Sequence, residues 1–201
     1  MRNFAVNVAI LPPDPIMNLA IQWNRELLKT QPTNIKLSKS HYLPHISMAM
    51  GCLREDRLGP ARSLLQSIAD RCQVFEMNMP RMQTVKAKSG ESIITFDILL
   101  NQELRALHES IVNAFKPLLT QDANEAAIND APPIASDALE WINQYIPNQC
   151  FDKFWPHITV GFGEAFPNFQ PITFQGSHLA ICHLGNYCTC TTILAEAYLT
   201  P

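Results

Sequence analysis

Tyr42-Leu43-Pro44-His45-Ile46-Ser47-Met48-Ala49-Met50-Gly51 and Phe154-Trp155-Pro156-His157-Ile158-Thr159-Val160-Gly161-Phe162-Gly163 are two copies of one pattern. Each runs from an aromatic-containing lead through Pro-His-Ile-(Ser/Thr) and an apolar residue to glycine. At this composition even one Pro-His-Ile-(Ser/Thr) is expected only on the order of 10⁻³ to 10⁻² times per chain. Two copies therefore indicate two related halves, each lending one strand to a shared site.

Alternate residues of a strand share a face, so His45 and Ser47 point one way while Ile46 and Met48 point the other. His157 and Thr159 separate from Ile158 and Val160 in the same manner. Two such strands brought together surround one small pocket with two imidazoles and two hydroxyls. That set suits phosphoryl transfer without a metal. One neutral imidazole takes a proton from the attacking oxygen, and the other, protonated, gives one to the leaving oxygen. Both titrate near neutrality, and two environments push the two values apart. The hydroxyls donate to the non-bridging phosphate oxygens.

Outward from these strands, residues 4–11 read as a first core strand stopped by Pro12-Pro13. Asp14-Pro15 reads as cap and first residue of a helix, with Ile16, Leu19, Ala20, Trp23 and Leu27 on its apolar face. After a polar loop at 30–40 comes the strand at 44–53. A second helix follows with Leu58, Ala61, Leu65, Ile68 and Cys72 on one side. Residues 74–86 and 92–100 read as two strands joined at Lys88-Ser89-Gly90. Asn101 is placed to cap a helix in which Leu104, Leu107, His108, Ile111 and Phe115 line one face. Inside such a stripe His108 reads as a core histidine rather than a catalytic one. The polar segment 120–136 reads as a surface excursion, and Ser136-Asp137 opens a short helix that Pro147 ends. Strands at 156–163, 172–184 and 190–199 complete the chain, the last two hinged at Gly185-Asn186. Strands and helices alternate without a phosphate-loop or dinucleotide glycine motif, which predicts an α+β class with largely antiparallel pairing.

The 201 residues carry 15 basic and 18 acidic side chains, a formal charge of −3, with 47% hydrophobic residues. That excludes disorder for the bulk of the chain and argues against a long, salt-sensitive grip on duplex nucleic acid. No run of 18 uninterrupted apolar residues offers a membrane span. The start could be mistaken for a signal peptide, but Asn7 interrupts its apolar run and no small-residue cleavage site follows. Six cysteines, at 52, 72, 150, 182, 188 and 190, are expected as reduced thiols of a cytoplasmic protein. Cys182, His183, Cys188 and Cys190 lack zinc-site spacing, because the terminal pair is Cys-x-Cys on a strand-like stretch. His41-x-x-x-His45 invites a metal reading that Pro44 disfavours, since a helix is needed to bring that spacing onto one face.

In His45-Ile46-Ser47-Met48 and His157-Ile158-Thr159-Val160 the sequence resembles the 2H phosphoesterase superfamily, named for two His-x-(Ser/Thr)-x elements. The resemblance covers most of the chain, the 120–136 segment apart. It implies a bilobal, pseudo-two-fold symmetric α+β fold: two mainly antiparallel sheets flank a central groove, with helices outside, as one domain of two lobes over residues 1–201. It implies a metal-independent phosphodiesterase acting on 2′,3′-cyclic phosphate or 2′-5′ phosphodiester bonds of RNA ends or nucleotides. The bacterial 2′-5′ RNA ligases belong to the same group. His45 and His157 map to the acid–base pair, Ser47 and Thr159 to the phosphate donors. No cofactor and no metal are expected. A nucleotide or short RNA is the expected partner, no membrane is involved, and the protein is expected as a monomer.

Around the motifs, Tyr42, Phe154 and Trp155 are candidates to stack a base or simply to pack at the strand entrance. Lys153 and Arg54 are candidates for phosphate contact, against the plainer role of solvated surface charge. Two alternatives stay open: a non-catalytic nucleotide- or RNA-end-binding module with the same groove, and a zinc hydrolase using His41, His45 and distant ligands.

Overall fold

The computed structural model describes residues 2–30, 34–87, 90–166 and 168–201. Among them the order is β1 (Asn3–Leu11), α1 (Asp14–Thr30), β2 (Ile46–Arg54), α2 (Leu58–Ala69), β3 (Phe75–Met79), β4 (Met82–Lys86) and β5 (Ser92–Asp97). The chain continues with α3 (Gln102–Phe115), β6 (Leu119–Thr120), α4 (Ser136–Gln149), β7 (His157–Phe162), β8 (Ile172–Gly176), β9 (His178–Leu184) and β10 (Cys190–Tyr198). The class is α+β, and these strands pair antiparallel. No helix among the described residues is long and apolar enough to cross a membrane.

In place of the two large sheets expected from the sequence, one eight-stranded sheet runs β10-β9-β1-β2-β7-β5-β4, with β6 paired to β2. Its halves, β10-β9-β1-β2 and β7-β5-β4, are the two lobes, and they join at one residue pair, Ile46 opposite Ile158. β3 and β8 form a separate ribbon.

The two lobes repeat each other down to an irregularity. On β2 the register passes from Ala49 opposite Val8 to Ser47 opposite Ala9, skipping Met48. On β7 it passes from Gly161 opposite Ile94 to Thr159 opposite Thr95, skipping Val160. A bulge adds local twist and re-aims the side chains beside it. Both bulges sit directly after the His-Ile-(Ser/Thr) triplet. The helices then cross between lobes: α1 follows β1 but packs on β7, and α3 follows β5 but packs on β2. From α1 the buried Asn24 donates to the carbonyl of the bulged Val160 at 2.8 Å. From α3 the buried His108 faces the backbone of the bulged Met48. The apolar faces behind both halves of the sheet form one continuous buried cluster.

Several elements differ from the sequence-based reading. Residues 74–86 form two strands, because Pro80 has no amide hydrogen to continue a ladder; β3 goes to β8 and β4 to β5. Residues 172–184 also divide, with β8 on β3 and β9 on β1. At the end of β8, Gly176 lies so close to Met77 that a Cβ would sit 2.6 Å from its sulfur. Residues 120–136 lie largely at the surface, as read, but are anchored into the fold. Ala123, Ala127, Ile128 and Ile134 are buried, and the Asn129 amide donates to the Leu184 carbonyl at 2.8 Å. Four buried residues at irregular spacing leave no periodic signal. α4 continues past Pro147 to Gln149, since in the last turn a proline forfeits one amide bond while buried Tyr145 and Ile146 hold the helix. α1 begins one residue earlier than read: the Pro13 carbonyl accepts from Ile16 and Met17, and the Asp14 carboxylate meets Lys39 at 2.8 Å. Asn101 does cap α3, accepting from the Leu104 amide at 2.9 Å. The turn read at 88–90 lies partly outside the described residues, though β4 and β5 pair as a hairpin around it.

Candidate active site

The buried row Ile10–Ile46–Ile158–Phe96 crosses both lobes, each residue opposite the next. Carried one residue to either side, the same register sets Ser47 across from His157 and His45 across from Thr159. Because the isoleucines point into the core, these four side chains point to the opposite face. There His45, Ser47, His157 and Thr159 all line one cavity of about 460 Å³.

The two imidazoles are anchored alike. His45 Nδ1 lies 2.7 Å from the Leu43 carbonyl, and His157 Nδ1 lies 2.9 Å from the Trp155 carbonyl. A carbonyl only accepts, so each Nδ1 carries the hydrogen and each Nε2 is the nitrogen free to exchange a proton. The proline before each histidine restricts the residue ahead of it, Leu43 or Trp155, to extended backbone, which brings that residue's carbonyl within reach of the ring. Burial lowers His45 to about 4; the Leu43 bond opposes that and charge on His157 adds to it. Burial also lowers His157, but there the Trp155 bond and the Asp97 carboxylate both oppose it. Two imidazoles in unlike surroundings can divide the roles of proton acceptor and proton donor.

Ser47 is oriented by Asn7, a fully buried side chain on β1 that donates to its Oγ at 2.8 Å. With its oxygen so engaged, the Ser47 hydroxyl hydrogen is available to the cavity. Beside Thr159, in register, the buried Thr95 hydroxyl also lines the cavity and has no partner of its own among the described residues. Asn7 was visible in the sequence only as a polar interruption of an apolar strand. Asp97 gave no signal at all: its carboxylate receives Arg81 Nε at 2.6 Å, Gln83 Nε2 at 2.5 Å and Trp155 Nε1 at 3.1 Å.

Of the secondary candidates, Trp155 lines the cavity and stacks on His157, with centroids 4.2 Å apart. Phe154 does not reach it. Its side chain turns inward and stacks at 3.7 Å on His108, whose Nε2 accepts the Phe151 amide at 3.0 Å. Burial holds His108 down at about 4, and it is a packed, hydrogen-bonded core group. Tyr42 adopts a left-handed backbone, donates its hydroxyl to Asp130 at 2.8 Å and stacks on His41, away from the cavity lining. Lys153 is exposed and reaches the Pro147 carbonyl at 3.4 Å. Arg54 ends β2, on the order of 25–30 Å of extended chain from His45, with its guanidinium on Asp56 at 2.6 Å. Closeness in sequence misleads here because a strand moves each next residue away and turns alternate ones to opposite faces.

All six cysteines are free. Among the described residues no three His, Cys, Asp or Glu side chains gather at metal-binding distance. His41 stands half exposed 3.8 Å from Asp130.

The sequence matches no family model and no curated protein. Its structure does have relatives. E. coli LigT superposes with a TM-score of 0.56 at 14% identity over 100% of both chains. TT0787 of Thermus thermophilus gives 0.57 at 14% over 97% of both, and a phosphoesterase gives 0.58 at 14% over 100% of both. The chain has the LigT fold. LigT has also been crystallised with 3′-AMP and with phosphate, and both complexes superpose on this chain at 0.54. At this identity the likeness fixes the path of the backbone through both lobes, and the LigT fold is thus the frame on which this chain places its own cavity side chains.

Proposed function

We propose that this protein is a 2H phosphodiesterase that acts, by two-histidine acid–base chemistry and without a metal, on 2′,3′-cyclic phosphates or 2′-5′ phosphodiester bonds of nucleotides and short RNA ends. The observation that carries the reading is the matched pair of imidazoles at one cavity, each with Nδ1 tied to a backbone carbonyl and Nε2 left to exchange. Binding alone does not call for two proton carriers. In ring opening, water oxygen bonds to phosphorus as the neutral imidazole removes its proton. The P–O3′ bond breaks as the imidazolium protonates O3′, leaving a 2′-phosphate and a free 3′-hydroxyl. Ser47 and Thr159 donate to the non-bridging oxygens, whose charge must be held throughout. Trp155 and Trp141 supply flat apolar walls for a base.

The charges along the cavity favour a small substrate. Lys86 is accompanied there by Glu91, Asp137 and Glu140. Such a balance tolerates one phosphodiester held by hydroxyls and imidazoles, and repels the further phosphates of a long strand. LigT's complexes with 3′-AMP, ATP and NADP+ are likewise with ligands of nucleotide size rather than long strands.

Incubation with 2′,3′-cyclic AMP and with a 2′-5′ dinucleotide, each with and without EDTA, tests the reading. The expected result is 2′-AMP from the cyclic ester, assigned by phosphorus NMR and undiminished by the chelator. Calorimetric binding with no product at stoichiometric enzyme would replace it by a nucleotide- or RNA-end-binding module. Loss of activity in EDTA with recovery on adding a divalent metal would replace it by a metal-dependent hydrolase.

Asn7 acts through Ser47 in this scheme. Asn7→Ala is expected to lower kcat/KM about tenfold, the worth of roughly one hydrogen bond to a charged centre. Combined with Ser47→Ala it should cost little beyond Ser47→Ala alone; fully additive losses would show that Asn7 does not work by orienting that hydroxyl.

A further inference from the structure

The two half-sites obey the same register, and this exposes where they differ. One row reads Ala9–Ser47–His157–Asp97 and the other, in the opposite sense, Thr95–Thr159–His45–Leu11. The pairs Ala9–Ser47, His157–Asp97 and Thr95–Thr159 are hydrogen-bond register partners, and the rest follow from Ile46 opposite Ile158 and Ile10 opposite Ile46. The position across from His157 is therefore a carboxylate, and the equivalent position across from His45 is a buried leucine.

We propose, within the phosphodiesterase reading above, that Asp97 is a positioning residue that makes His157 the proton donor and leaves His45 as the proton acceptor. Asp97 is buried and shares the face of His157, at the separation of directly opposed residues on neighbouring strands, about 5 Å between Cβ atoms. Its Oδ1 also accepts from the Trp155 indole at 3.1 Å, which holds that ring on the imidazole of His157 at a 25° interplanar angle. A carboxylate at the edge and an indole face against the ring both favour the imidazolium. His45 has neither: its strand neighbour is Leu11, and the nearby titratable group that acts on it is His157 itself. A second positive charge beside His157 is disfavoured, so the pair carries one proton on the side of Asp97.

The remaining charged groups set the strength of the effect without changing its sign. Arg81, two-thirds exposed, partly neutralises Asp97 from the start of β4. Lys86 and Glu91 line the cavity beyond Thr95, and Asp137 and Glu140 line it from α4. On the far face of β7, α1 contributes the neutral Asn24, bonded to Val160. In hydrolysis of a cyclic phosphate the proton thus moves from water to His45 Nε2 as the new P–O bond forms. The proton of His157 Nε2 passes to O3′ as the old bond breaks, and solvent exchange restores both.

Two substitutions of opposite sign test this. Asp97→Asn keeps the shape and removes the charge. The alkaline limb of kcat/KM, set by the group that must be protonated, is expected to move down by about one pH unit. Arg81→Ala leaves Asp97 unopposed and is expected to move the same limb up. A role limited to packing would lower rates in both variants and move neither limb. NMR titration of the two histidines in the substrate-free protein provides a readout that does not depend on turnover. His157 should titrate lower in Asp97→Asn and higher in Arg81→Ala, with His45 changed less in each. If His45 responds more than His157, or the acid limb moves in place of the alkaline one, the assignment is overturned. Shifts in His157 alone, in a protein without phosphodiesterase activity, would uphold the positioning by Asp97 and reject the reaction.

Discussion

Alanine at His45 or at His157 is expected to reduce kcat on a 2′,3′-cyclic nucleotide by about 10²–10⁴-fold, the usual weight of one general acid or base. The double variant should fall little further than the worse single, because once one proton transfer is lost the other has no concerted partner. KM should move far less than kcat in both, since Ser47, Thr159 and the aromatic wall still receive the substrate. The fold is expected to survive. Each imidazole sits half-buried at a cavity wall, and the carbonyl it releases, of Leu43 or Trp155, can turn to water. The pH dependence of stability supplies a control with a definite sign. His45 titrates at about 4 in the folded chain and near 6.5 when unfolded, so the unfolded state binds the extra proton between those values. That contribution is absent above pH 6.5 and destabilises progressively as pH falls towards 4. His45→Ala should therefore narrow the drop in urea midpoint between pH 7 and pH 5. Steady-state kinetics alongside those urea curves check both halves. Turnover within a few-fold of wild type in either single variant would remove that histidine from the chemistry.

The doubled motif was legible because it combines a period-two pattern with residue types that are rare together, and both are local properties. So was the Asn101 cap, which needs only a short polar side chain three residues before the amide that it receives. The pairing of the lobes was not. Nothing in 46 or 158 alone states that they oppose each other, and the register that follows from it determines what faces each histidine. Asp97 falls inside the stretch 92–100 read as a strand, and its meaning comes from a residue 60 positions later on a strand that arrives from the other side. Arg54 and Lys153 failed for the converse reason: they are near in sequence, yet extended chain carried one to the far end of β2 and a short helical turn left the other in solvent. The anchoring of residues 120–136 was not legible, because the burial of Ala123, Ala127, Ile128 and Ile134 goes with contacts to Leu184, Thr191 and Asn186 rather than with any pattern of its own.

Ile158→Ala is expected to be the most destabilising substitution that leaves every cavity side chain in place. Ile46 and Ile158 are fully buried, and their pairing is where the ladder of one lobe meets the ladder of the other. Removing a buried isoleucine to Cβ costs about 2–5 kcal/mol, depending on how far the surroundings can close. Here closure is resisted on both sides, by Ile46 and by Phe96, which is itself pinned in register and fully buried. Ile158→Val should cost only about 0.5–1.5 kcal/mol, and Ile46→Ala should resemble Ile158→Ala. Because the two residues are directly opposed across the junction, the double alanine variant should depart from additivity by about 0.5–1 kcal/mol. The consequence for activity follows from the alternation of the strands. The isoleucines face the core directly beneath the row that carries Ser47 and His157, so a slackened junction lets the two imidazoles drift apart without altering either one. Urea denaturation of the four proteins, with kcat measured at pH 7 on each, separates the effects. Loss of kcat that tracks loss of stability through Val and then Ala is the expected pattern. Stability losses under about 1 kcal/mol for both alanine variants, below the usual range for such a truncation, would mean that the lobes are held together elsewhere, by the crossing helices α1 and α3.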